Sequence, residues 1–407
     1  MIPKHTSCLE AGDFVTWLRT RNDPDADLAA DLQDVWSPVL DRRRLYPTPT
    51  GRHAFWYFLD SMDLDEGDEV LVPAYNFYVM VRLILQRGLV PVFVDIEPET
   101  LTIDVDDLAR KITPRSALVL VTHMFGNPAD LAGVVELCQQ HDLLLFEDCA
   151  HAVGTTSDGV QVGQAGDGAL FSFGVEKLVN SFGGGLLALA TEHAEHFALP
   201  EHAQTTLASV ADTTSRAAVS ALNRPSLYGL ALYPARAAGD RLLPRLKGVV
   251  NPAKDNPDYR FDPSGRAPHK RFMPAMHRRQ IVRLDRNIDD RRANVAAMKA
   301  DLADLGGIGL LDEDRHGRSN GAYFGIYVDD HEGLTGALAR SGVEANPHEF
   351  YDCSRLKQFA DYASDNPAAA RACDHLLRLP SYPRLSAATA DLITDVIGDY
   401  LLGGRER

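Results

Sequence analysis

The stretch that most constrains the fold runs from Leu143 to Ala190: LLLFEDCAHAVG, a turn-rich link, then ALFSFGVEKLVNSFGGGLLALA. The apolar run Leu143–Phe146 stops abruptly at Glu147 and Asp148. A short unbroken apolar run of this kind predicts a strand covered on both faces, as in an α/β sheet. A second run predicts a strand ending at Ser172, with Lys177 five residues on and a glycine run at 183–185. Ligands of such sheets sit at the carboxyl ends of the strands. Asp148, Ser172 and Lys177 are therefore expected to converge on one crevice.

Taken singly, these residues say little. A lysine after a strand is usually a solvated surface residue, and Glu147-Asp148 alone would serve as a strand-end cap. Together, an acid, a hydroxyl and an amine suit pyridoxal phosphate. A lysine amine forms a Schiff base with the cofactor aldehyde and can move protons at the substrate carbon. A carboxylate facing the pyridine nitrogen keeps it protonated, and a serine hydroxyl with backbone N–H groups can hold the phosphate.

The segments EDCAHAVG, GDGALFSFGVEK and GGGLLALA together resemble the DegT/DnrJ/EryC1/StrS aminotransferases, within the fold-type-I pyridoxal-phosphate enzymes. The match rests on Glu147, Asp148, Ala150, His151, Gly166, Asp167, Ser172, Phe173, Lys177, Gly184 and Gly185. The resemblance implies that Lys177 carries the cofactor, Asp148 faces the ring nitrogen, and Ser172 contacts the phosphate. It places His151 against the ring or its hydroxyl. Glu176 stands where the family favours Thr or Asn, and Gly183 where a Glu is common.

Upstream, YPTPTGRHAFWYFLDSM reads as a turn leading into an apolar-periodic helix. A glycine at a helix start leaves N–H groups free for an anion; an ordinary cap is the plainer alternative. The resemblance makes Gly51 and Arg52 candidates for the cofactor phosphate. EVLVP, a helix over about Asn76–Gln86 and PVFVDI form a βαβ unit. By family position Phe77 stacks on the pyridine ring, its alternative being core packing. His123 ends the strand ALVLVTH, as an active-site wall in contact with cofactor or substrate, or as a satisfied core residue.

Residues 191–263 carry helix patterns broken by prolines, read as a lid or subunit-contact segment. From Gly265 to Arg283 the chain has six basic side chains, two histidines and no acid. Lys270 and Arg271, with Arg278 and Arg279, become candidates for an anionic substrate or for a partner subunit's cofactor phosphate. The alternative is the solvated side of a helix. Residues 307–407 alternate strands and helices, with His348 and Tyr351 near where substrate contacts would come. The expected fold is α/β, a fold-type-I transferase with a mostly parallel sheet flanked by helices. Its expected parts are an N-terminal arm (1–40, without chemistry), a large cofactor-binding domain (41–250) and a small α+β C-terminal domain (264–407).

The formal charge of −16 disfavours a nucleic-acid partner, which needs a basic face. Five cysteines without a C-x-x-C pair argue against a disulfide framework or a metal site and fit the cytoplasm. No stretch has the length of a membrane span. The expected activity is amino transfer from glutamate or glutamine to a keto group, by the resemblance that of a nucleotide-linked keto-sugar, in a homodimer. The alternatives are a non-sugar ketone (a cyclitol or natural-product intermediate) and a cofactor-binding regulatory protein without turnover. Some relatives of this fold are sugar dehydratases with histidine in place of the lysine; the retained Lys177 weighs against that.

Overall fold

The computed structural model describes residues 1–21, 27–198, 207–223, 227–233, 260–263 and 272–403. Its centre is a seven-stranded sheet built from β1 (Arg44–Thr48), β2 (Glu69–Pro73), β3 (Val90–Val94), β4 (Ser116–Thr122), β5 (Leu144–Asp148), β6 (Gly168–Ser172) and β7 (Gly185–Leu189). The spatial order is β1-β7-β6-β5-β4-β2-β3, and only β7 runs against its neighbours. Every residue of β2 and of β7 is buried, as the apolar runs VLVP and GLLAL require of strands covered on both faces, with Glu69 at the start of β2 paired to Arg115.

Helices α1 (Ala11–Thr20), α2 (Leu28–Trp36), α3 (Gly51–Ser61), α4 (Tyr78–Gln86), α5 (Val105–Lys111) and α6 (Leu131–His141) surround this sheet. α3 lies on β6 and β7. Its Phe55 and Phe58 meet Phe146 of β5 at ring-centroid distances of 5.0 and 4.5 Å. α4 begins at Tyr78, two residues later than the pattern suggests, because Tyr75–Asn76 is drawn into a short antiparallel pairing with Tyr351–Asp352.

A second sheet, antiparallel, has the order β8 (Ile308–Leu310), β9 (Phe324–Val328), β10 (Leu376–Leu379). The later helices are α7 (Leu207–Leu222), α8 (Met273–Ile281), α9 (Leu284–Leu302), α10 (His331–Arg340), α11 (Pro367–His375) and α12 (Ala387–Gly403). The two cores meet within α9. Leu284 and Ile288 belong to the large core, while Val295, Met298 and Leu302 belong to the small one. A helix of 19 residues is about 28 Å long and can serve both.

The small core thus begins later than residue 264, since α8 packs with α1 and α2. Phe272 and Met276 share a cluster with Leu9, Trp17 and Phe182. The N-terminal arm contributes to the large core as well: Leu32 and Trp36 are fully buried in it. Of residues 191–263, the described part is helical or irregular, with no strand. For the lid or subunit-contact reading, residues 199–206, 224–226 and 234–259 lie outside the described ones.

Candidate active site

The six strands that run together end on one edge of the sheet, and β7 starts there. The residues that follow or precede those ends line a single cleft of about 500 Å³. They are Thr50, Gly51 and Arg52 after β1, Asn76 and Phe77 after β2, and Thr122 and His123 at the end of β4. Asp148 ends β5 and Ala150 and His151 follow it, Ser172 ends β6 and Gly174 to Lys177 follow it, and Gly183 and Gly184 precede β7. The expected convergence of Asp148, Ser172 and Lys177 is therefore met, with Gly51, Arg52, Phe77, His123 and His151 in the same wall.

Lys177 sits in a loop stapled at its base. Phe173 N–H donates to the Gly184 carbonyl (3.1 Å), and the N–H groups of Ser181 and Gly183 donate to the Phe173 carbonyl (3.1 and 2.8 Å). The return path needs φ of +119° and +95° at Gly183 and Gly184, which explains glycine at the first of them instead of glutamate. A Cβ at Gly185 would fall 2.5 Å from the Gly51 nitrogen, so glycine lets α3 begin against this strand. Inside the loop, Asn180 donates from Nδ2 to the Val175 carbonyl (2.8 Å).

The described part of the basic segment, residues 272–283, supports this loop from behind. Gln280 accepts from Asn180 N–H (2.9 Å) and donates to the Asn180 carbonyl (2.8 Å). Trp36 Nε1–H donates to His277 Nδ1 (3.2 Å), so His277 carries its proton on Nε2 and donates it to Ser181 Oγ (3.0 Å). Burial brings the His277 pKa down to about 3, so the ring stays neutral. The described cations of the segment serve the N-terminal arm: Arg278 pairs with Asp34 (2.8 Å), and Arg279 (3.2 Å) and Arg283 with the fully buried Asp13. Arg278 and Arg279 thus meet carboxylates of the arm and do not line the cleft. Lys270 and Arg271 lie outside the described residues.

Burial in the cleft lowers the Lys177 pKa to about 8, against the opposing pull of Asp148, Glu176 and Glu349. Asp148 is buried and its carboxyl is pushed up by that burial, partly offset by Ala150 N–H (2.9 Å), Lys177 and His123. Its neighbour Glu147 points the other way, as successive strand residues must. There it accepts from Gly163 N–H (2.7 Å), Ala165 N–H (2.8 Å), Gly166 N–H (3.1 Å) and His123 Nε2–H (3.1 Å). The strand-end pair is thus one cap and one cleft residue.

His123 is the satisfied core residue. Ala129 N–H donates to its Nδ1 (3.2 Å) while its Nε2–H goes to Glu147, which leaves only the ring to face the cleft. His123, Glu147 and Cys149 are grouped closely enough for a metal ion, but the four donors on Glu147 occupy the carboxylate. His151 lines the cleft with its ring 4.6 Å from Tyr323 and 5.4 Å from Phe350. Burial and the nearby Lys177 push its pKa well below the ordinary value, so it is neutral.

Several cleft residues escape the sequence reading: Tyr323, Glu349, Phe350 and Arg216 of α7. The candidates His348 and Tyr351 flank the two that line it. His348 is exposed, 3.8 Å from Glu332, and the Tyr351 backbone pairs with Asn76. Only a general expectation of small-domain contacts pointed there.

A sequence profile of the DegT/DnrJ/EryC1/StrS aminotransferase family matches residues 47–206 and 270–398. The GDP-perosamine synthase of Vibrio cholerae is 38% identical over 137 residues, 34% of this chain and 37% of the relative. The UDP-N-acetyl-3-dehydro-alpha-D-glucosamine 3-aminotransferase of Acidithiobacillus ferrooxidans is 35% identical over 147 residues, 36% of this chain and 40% of the relative. The chain thus aligns with well under half the length of each. The solved aminotransferase TlmJ from Streptoalloteichus hindustanus superposes with a TM-score of 0.74 at 20% identity, over 100% of both chains. That likeness speaks for the fold, which is the α/β fold-type-I architecture expected.

Proposed function

The chain belongs to the DegT/DnrJ/EryC1/StrS aminotransferase family, and from that premise we propose that it is a pyridoxal-phosphate-dependent aminotransferase. The observation that carries this is the meeting of Lys177, Asp148, Ser172 and the start of α3 in one cleft. These residues fit the cofactor. A half-buried amine, a buried carboxylate, a neutral imidazole and a helix start that attracts an anion are the donor set it needs. Lys177 would hold its aldehyde, Asp148 its ring nitrogen, His151 and Phe77 the ring. Ser172, Gly51 and Arg52 would hold its phosphate. When bound, the group supplies an aldehyde that carries the amine and a ring that draws electrons from the substrate carbon.

The chain's own part is proton transfer and orientation. With its pKa at about 8, about a tenth of Lys177 is neutral at pH 7, against less than one part in a thousand at its ordinary value. Lys177 Nζ can therefore take the proton from the donor carbon and return it to the acceptor carbon. Asp148, ionised and nearly dry, keeps a proton on the nitrogen it faces. His151, held by Tyr323 and Phe350, stays neutral and keeps the ring beside it in one orientation.

The donor in this reading is glutamate or glutamine, and the acceptor a nucleotide-linked keto-sugar. Both relatives above carry a nucleotide in their names, and Arg216, exposed on the cleft wall, supplies a cation for a diphosphate. A homodimer belongs to the reading too, since Val15 and Leu18 of α1 and Val282 after α8 are exposed and apolar. All five cysteines are free, which agrees with a reducing cytoplasm; among the described residues no helix is long and apolar enough to cross a membrane. The test is spectroscopic. Protein loaded with pyridoxal phosphate should absorb in the visible, change on addition of glutamate or glutamine, and change back with a keto-sugar nucleotide. Lys177→Ala should abolish both changes. A wild-type protein that binds the cofactor but ignores both donors refutes the transferase.

A further inference from the structure

Two carboxylates in the cleft wall, Glu176 and Glu349, are held by residues from the very start of the sequence, in a part of the chain outside the family match. Ile2 is tied to the small domain: its N–H donates to the Gly342 carbonyl (2.6 Å) and its carbonyl accepts from Glu344 N–H (2.9 Å). Lys4 N–H then donates to Glu344 Oε2 (3.2 Å), which also accepts from Tyr228 OH (2.6 Å). From this anchored backbone the Lys4 ammonium reaches Glu349 Oε2 (3.3 Å). The next residue, His5, is 5% exposed and places Nε2 3.2 Å from Glu176 Oε1.

We propose that Lys4 and His5 are positioning residues of the active site, a strap that holds Glu349 and Glu176 in the wall of the cleft that contains Lys177. Glu349 is the junction. Its second oxygen accepts from the buried Arg378 (2.6 Å), whose guanidinium lies 3.7 Å over the Tyr323 ring. Tyr323 in turn packs on His151. Lys4, Glu349, Arg378, Tyr323 and His151 form one packed column that ends in the cleft, so a displaced Lys4 would be felt at His151. His5 acts on the other carboxylate. Burial lowers its pKa to about 4, so at neutral pH it is uncharged. The uncharged ring therefore packs against Glu176 at 3.2 Å.

The charged groups that act on Lys177 are Asp148, Glu176 and Glu349, which favour its protonated form, and Arg378, which opposes it. Lys4 partly cancels the charge of Glu349, while the uncharged His5 acts on Glu176 by packing. Removing Lys4 leaves more negative charge acting on the amine. Lys177 should then lose its proton at higher pH.

The inference rests on the reading of Lys177 as the reactive amine, and its test is made without cofactor. Lys177 of the apo-protein is acetylated with acetic anhydride across a pH series, and the modified peptide is quantified by mass spectrometry. The wild-type midpoint should lie near 8. Lys4→Met should raise it by about half a pH unit or more. Lys4→Arg, which keeps the cation, should restore it. Lys4 is partly exposed, so its replacement leaves the fold in place. Folded variants whose midpoint stays at the wild-type value, or falls, overturn the proposal and reduce the strap to a structural tie. A protein that fails the donor test yet shows the shift refutes the transferase and leaves the strap standing.

Discussion

Glu147→Gln tests the logic of the strand end most severely, because the two side chains have the same shape and differ in what they accept. The Glu147 carboxylate is fully buried and takes four N–H donors, two on each oxygen. A glutamine carbonyl can serve Ala165 and Gly166, but its NH2 then faces Gly163 N–H and His123 Nε2–H. Flipping the amide moves the conflict to the other pair. Moving the His123 proton to Nδ1 does not help, since Ala129 N–H points at that nitrogen. Two buried donors are orphaned in every arrangement. At about 1–3 kcal/mol each, the cost is about 2–6 kcal/mol, a span that contains the cost of breaking a buried charged contact. Urea unfolding of the apo-protein at pH 7.5, followed by tryptophan fluorescence, measures it.

The pH dependence gives a second reading of the same variant. Burial would raise the Glu147 carboxyl, but the His123 contact and the amides of Gly163 and Gly166 outweigh it and hold the pKa below the ordinary 4.5. A depressed folded pKa means stability that is present above 4.5 and lost as pH falls through the folded value. The variant should lack that part of the acid loss. A penalty under about 1 kcal/mol at pH 7.5 would show that the 163–166 turn finds other acceptors, and the reasoning fails.

Asp148→Asn should slow the donor half-reaction by about two powers of ten or more, read by stopped-flow absorbance. Its apo-protein should be no less stable than wild type at pH 7, because burial raises this carboxyl and the penalty for ionising it disappears with the amide. Arg216→Ala should raise KM for a nucleotide-linked acceptor about tenfold, worth about 1.4 kcal/mol. Arg216→Lys should recover part of it, and an unchanged KM removes Arg216 from the acceptor site.

The floor of the cleft was legible because it obeys local rules. Each strand end there follows a compact apolar run, and the order acid, hydroxyl, lysine survives any detail of packing. The opposite directions of Glu147 and Asp148 also follow from strand geometry, once β5 is known to continue through both. The basic segment misled for a physical reason. Local charge reversal says that a patch is unusual, not which carboxylates come to meet it, and Asp13 and Asp34 lie far off in sequence. His277 and Gln280 were invisible as supports, since their bonds to the lysine loop depend on where α8 docks.

That contrast separates two kinds of constraint on one cleft. The floor is set by sheet register: slipping β5 by one residue would turn Glu147 into the cleft and bury Asp148 among the N–H groups of the 163–166 turn. Such a change would lose both the cap and the chemistry at once, so these positions tolerate little variation. The wall is set by long-range side-chain contacts that join Lys4 to Glu349 and His5 to Glu176, with Arg216 brought in by a helix outside the family match. No backbone ladder depends on those side chains. They can be exchanged without unfolding the sheet, which makes the wall the physical place for a chain with this floor to acquire its own acceptor.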